Sequence, residues 1–139
     1  MKIKKVGNKI LLRLDKDDEI VSAIKSVCAE NDVKFGFVTG IGGVKHAVFA
    51  FYDMAQHKYV NTEVSGHHEL TSLLGNVSRK DGEFVMHLHI TLGGADYGVV
   101  GGHLVSAVIS VTGEIWIEVL EDGFSRKFNE EFGANLWED

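Results

Sequence analysis

The spacing of apolar residues along the chain changes period twice. Residues 3–6 and 10–14 are short apolar runs separated by Gly7-Asn8, which predicts a hairpin. Between residues 15 and 31 the period becomes helical, with Ile20, Ile24, Val27 and Cys28 at i, i+4, i+7 and i+8. Asp15, Asp17 and Asp18 precede that face, where a cap and negative charge suit the helix start. Strand patterning then takes over at 35–39, 44–52, 59–64, 69–78, 83–92, 103–111 and 114–120, in runs rich in Val, Ile, Phe and Thr. Lys80-Asp81-Gly82 and Thr112-Gly113 leave no room for a crossover helix, so neighbouring strands are expected to pair antiparallel. Residues 124–137 are mixed, with Phe128, Phe132 and Trp137 loosely spaced, and are expected to hold a short C-terminal helical segment. The expected fold class is α+β: a mainly antiparallel β-sheet with one principal helix on a face.

Composition narrows the class. The 139 residues are expected to form a single domain over 1–139, with 45% hydrophobic and 24% charged residues arguing against disorder. No apolar run approaches the ~18 residues of a membrane span. No signal-type apolar segment follows the basic start, and the one cysteine allows neither an internal disulfide nor a CxxC-built zinc finger. A cytoplasmic protein without a membrane partner is expected. The net charge of -6 sets the overall field against a polyanion such as DNA. There is no proline among the residues, and sixteen glycines must supply the tight turns and close backbone approaches.

Candidate chemistry concentrates in residues 83–111. On a strand Phe84, Met86, Leu88, Ile90 and Leu92 share one apolar face, and His87 and His89 share the other. Two residues of rise separate those histidines by about 6.6 Å, within which two imidazoles can converge on one ion. His103 follows Gly101-Gly102, and those glycines would let its strand approach His89 closely. Three imidazoles plus a water form an open ligand set that suits a divalent transition metal. Zinc fits first; nickel, copper and iron accept the same donors. The competing reading is a solvated His-x-His face. Glu69 is the acid that could orient a ligand or accept a proton from bound water, or it is a surface acid. His67 and His68 point to opposite faces and read as solvated turn residues. Gly40-Ile41-Gly42-Gly43 precedes a strand pattern, which makes it a turn and not a phosphate cradle. Cys28, on the apolar helix face, reads as a core residue.

The same segments resemble the plants-and-prokaryotes-conserved (PPC) domain in its free-standing prokaryotic form. The resemblance rests on Thr39-Gly40-Ile41-Gly42, residues 69–76 (ELTSLLGN), His87-Leu88-His89, Val100-Gly101-Gly102-His103-Leu104 and Glu114-Ile115-Trp116-Ile117, which follow the family order over nearly the whole chain. It implies an antiparallel sheet of about seven strands with flanking helices, assembly as a homotrimer, and a metal cluster at His87, His89 and His103. Apolar character on both faces around Val99-Val100 and residues 104–111 also favours a second copy as partner. Plant relatives carry proline-containing AT-hooks ahead of this domain. Their partner motif Gly-Arg-Phe-Glu-Ile-Leu corresponds here to Gly82-Glu83-Phe84-Val85-Met86-His87, with an acid in place of the arginine. Free-standing members are often labelled DNA-binding by association, and both departures argue against that role here. The functional expectation is a trimeric metal-binding module with a regulatory or small-ligand role. A metal-dependent hydrolase or hydratase, or a direct DNA binder, are the alternatives.

Overall fold

The computed structural model describes residues 1–138. The elements run β1 (Lys2–Val6), β2 (Lys9–Asp15), α1 (Ile20–Glu30), β3 (Phe35–Asp53), β4 (Lys58–Lys80), β5 (Glu83–Gly93), β6 (Val99–Leu120), β7 (Ser125–Asn129) and β8 (Ala134–Glu138). Six strands form one antiparallel sheet in the order β1-β2-β6-β3-β4-β5, and β6 also pairs with β5. That extra pairing closes β6, β3, β4 and β5 into a ring. Among the described residues no helix is long and apolar enough to cross a membrane.

The core joins the inner side of the sheet to the helix. Ile10, Leu12 and Leu14 of β2 and Ile115 and Ile117 of β6 are buried with Ile20, Ile24, Val27 and Cys28, the face that the helical spacing picks out. Burial pushes the Cys28 thiol up to about 12, so it stays protonated and serves as packing. The helix begins later than the three aspartates suggest. Glu19 is the cap, its carboxylate accepting from the backbone N–H of Val21 and Ser22. It also accepts from Ala107 N–H at 3.1 Å, fastening the helix start to β6. Asp17 adopts a left-handed φ of 76° and Asp18 accepts from Asp15 N–H, so these acids shape the preceding turn.

Two sequence expectations are corrected. The sheet has six strands rather than seven, because several glycine-marked breaks are irregularities inside long strands. Gly40 to Gly43 lies within β3, with pairing shifts at Gly40/Gly42 and Gly42/Val44, and Thr112-Gly113 lies within β6. Gly42 faces Gly113 so closely that a Cβ on Gly42 would sit 2.3 Å from Thr112 O, which explains glycine without any turn. His67 and His68 likewise sit inside β4. The second correction is the C-terminus, which forms no helix: β7 and β8 make a separate two-stranded hairpin. Gly133, at φ 61°, and Asn129, whose side chain accepts from Phe132 N–H, form its turn.

Candidate metal centre

Register brings the three histidines together. His89 of β5 is paired directly with His103 of β6, where β6 leaves β5 for β3. His87 lies two residues back on β5, so its ring projects from the same face. The ring centroids stand 5.3, 5.4 and 5.6 Å apart, nearly an equilateral triangle. Each ring offers a nitrogen, and these nitrogens lie within 4.8 Å of one another. Close packing of β6 makes this possible, as the glycines before His103 suggest. A Cβ on Gly101 would stand 2.2 Å from Ile90 O, and one on Gly102 would stand 2.6 Å from Ala50 O. Any side chain at either position forces the strands apart.

The surroundings favour the neutral form of His87 and His103. Burial, then the neighbouring His87, His89 and Arg126, pushes His103 down to about 4. His87 is also lowered, first by burial and then by Arg126 and His89. Neutral rings present free lone pairs at pH 7, the state a metal ligand requires. His103 Nδ1 is buried without a hydrogen-bond partner among the described residues. A buried polar atom left unpaired is costly, and a bound cation would satisfy it. The donor set therefore fits a divalent metal. Tyr59 of β4 packs its ring 4.6 Å from that of His103 and fixes one side of it.

Glu69 lies elsewhere within this chain. It pairs with Gly93, whereas His89 pairs with Leu74, five residues farther along β4 and about 16 Å away along the strand. Its carboxylate meets His67 Nε2 at 3.1 Å, while His67 Nδ1 meets Ser110 Oγ at 3.0 Å. Glu69 and His67 line their own recess beside Gly42 and Gly43.

The sequence reading missed the roof of the site. The β7-β8 hairpin covers one side of a recess of about 600 Å³ that holds His87, His103, Tyr59, Asn76, Arg126 and Trp137. Arg126 is only 9% exposed. Its Nε donates to Ser78 Oγ at 2.7 Å, and its two Nη groups donate to Asn135 O at 2.7 Å and Asn76 Oδ1 at 2.8 Å. The Tyr52 hydroxyl donates to Phe132 O and ties the hairpin turn to β3. A period-two signal was available in Phe124, Arg126 and Phe128, but acids and glycine around it blurred the pattern.

A ring of antiparallel strands with one helix, holding three imidazoles at a strand crossing, defines a small α+β domain with a candidate metal centre. Residues 1–121 match the family model of the Plants and Prokaryotes Conserved (PCC) domain, and the chain belongs to that family. Among solved structures it is similar to a "putative dna binding protein" from Bacteroides thetaiotaomicron, with 31% identity, TM-score 0.95, and 99% and 96% of the two chains covered. It is similar to a plant- and prokaryote-conserved protein from Pyrococcus horikoshii, with 31% identity, TM-score 0.87, and 99% and 94% covered. A metal-containing protein from Archaeoglobus fulgidus shares 35% identity at TM-score 0.88, with each chain covered fully. No curated protein matches the chain.

Proposed function

We propose that the protein is a homotrimeric metal-binding module in which His87, His89 and His103 hold one divalent transition ion, zinc first. One observation carries this reading: three imidazole nitrogens, one from each histidine, lie within 4.8 Å of one another. The similarity to the metal-containing protein from Archaeoglobus fulgidus supports it. When bound, such an ion offers a Lewis-acidic position open to a small ligand. The chain's own groups do the rest. Burial favours the unprotonated form of His87 and His103, Tyr59 restrains the His103 ring, and the hairpin shields one side of the recess from bulk water.

A binding role is favoured over hydrolysis, because the acid singled out as a proton acceptor, Glu69, is engaged with His67 well away from the cluster. The DNA-binding description of one relative meets a net charge of -6 here, which opposes counterion-release affinity. Elemental analysis of untagged protein tests the proposal: bound metal is expected in the wild type and loss of it in His89→Ala and His103→Ala. Metal-free wild-type protein that takes up no zinc on dialysis would refute it.

A further inference from the structure

Arg126 raises a question that the metal centre does not answer. A guanidinium taken out of water is costly without a counter-charge. Arg126 is 9% exposed, yet among the described residues no carboxylate lies within ion-pair distance. Its three hydrogen bonds all go to neutral oxygens, of Ser78, Asn135 and Asn76. Five N–H groups less those three leave two, one on each Nη. The donors are therefore held in place by neutral groups, the guanidinium carbon lies 5.8 Å from the centre of the Trp137 ring, and among the described residues no anion cancels its charge.

That charge faces the histidine recess. Arg126, His87 and His103 line the same space. Two neutral imidazoles supply no anion to balance it. The recess of about 600 Å³ falls within the range of small-molecule sites, and Val85, Met86, Leu136 and Trp137 supply an apolar wall.

Resting on the metal-centre reading, we propose that the recess binds a small organic carboxylate, whose carboxylate group pairs with Arg126 and whose compact apolar body packs against Met86, Leu136 and Trp137 beside the histidine cluster. A carboxylate fits better than a phosphoryl group because it presents two coplanar oxygens to the two remaining N–H groups. Apolar lining also suits a carbon body. Of these residues Arg126, Leu136 and Trp137 lie on the C-terminal hairpin, beyond the stretch that matches the family model.

The test is calorimetric titration of zinc-loaded and metal-free protein with 2-methylpropanoate, its amide and inorganic phosphate, with Trp fluorescence as a second readout. The carboxylate is expected to bind at least about tenfold more tightly than the isosteric amide, the worth of a charge-assisted hydrogen-bond pair. Arg126→Met should abolish that preference, and Arg126→Lys should keep part of it. Equal binding of carboxylate and amide, preference for phosphate, or a carboxylate preference that survives Arg126→Met would each overturn the proposal. The carboxylate–amide comparison needs no substitution, so it decides the matter even where a variant fails to fold. Zinc uptake is measured separately: protein that binds no zinc but distinguishes carboxylate from amide refutes the metal centre and upholds Arg126.

Discussion

His103 sits between the ring of Tyr59 and the two histidines of β5, and burial lowers its pKa. Its folded value of about 4 lies below the unfolded value near 6.5. Between those limits the unfolded chain binds a proton that the native chain does not. The contribution of His103 to stability is therefore complete above pH 6.5 and is lost as pH falls toward 4, with His87 acting in the same direction. Asp15, Asp17 and Asp53 are lowered from ordinary carboxylate values, so their share is lost only at more acid pH. Urea unfolding of metal-free protein at pH 7, 6 and 5 should show stability falling with pH, and His103→Asn should flatten that slope. An identical slope in the variant would contradict the neutral-imidazole account.

Among the elements, the junction of β5 and β6 decides whether the histidines meet. Gly101→Ala places a methyl group 2.2 Å from Ile90 O, a distance no real contact tolerates. The expected outcome is a folded but weakened protein, destabilised by about 1–3 kcal/mol, with zinc affinity reduced several-fold. Denaturation and zinc titration read the two effects, and an unchanged zinc affinity would show that β6 adjusts without moving His103. This junction was legible in the sequence, because His87 and His89 share a face by strand period and Gly101-Gly102 announces a close approach. The helix face of Ile20, Ile24, Val27 and Cys28 was legible for the same reason. Strand ends were not. Glycine punctuates both a turn and a bulge, and only pairing partners such as Thr112-Gly113 opposite Gly42 distinguish them. The hairpin at residues 125–138 escaped because Arg126 occupies a buried position that composition alone assigns to solvent. Its acceptors, Asn76 and Ser78, lie 50 and 48 residues away in the chain. Glu69 shows the converse: an acid next to His67 and His68 in sequence stays with His67 within this chain, five residues along β4 from the partner of His89.

Across the whole molecule, one row of paired residues links the uncovered face to the site. Leu11 pairs with Trp116, Trp116 with Thr39, Thr39 with Leu74, and Leu74 with His89. Paired residues share a face, and Leu11, Phe37, Leu74 and Trp116 are 38%, 44%, 56% and 39% exposed. The helix covers the opposite face, so among the described residues nothing covers this apolar strip, which supports the proposed trimer. Light scattering at micromolar concentration is expected to give three times the chain mass. Trp116→Glu should shift the protein toward monomer while leaving its circular dichroism unchanged. A wild-type protein that scatters as a monomer would remove the trimer from the proposal.

The outer margin of the main sheet is β1, whose five residues are all exposed and include Lys2, Lys4 and Lys5. A second sheet arriving there to extend the backbone ladder would have to crowd ammonium groups together as it docked. Growth by strand addition, the route to fibrils, is thereby discouraged at the place where unpaired amides invite it. Copies that meet are left to meet broadside, and broadside contacts can close into a finite assembly.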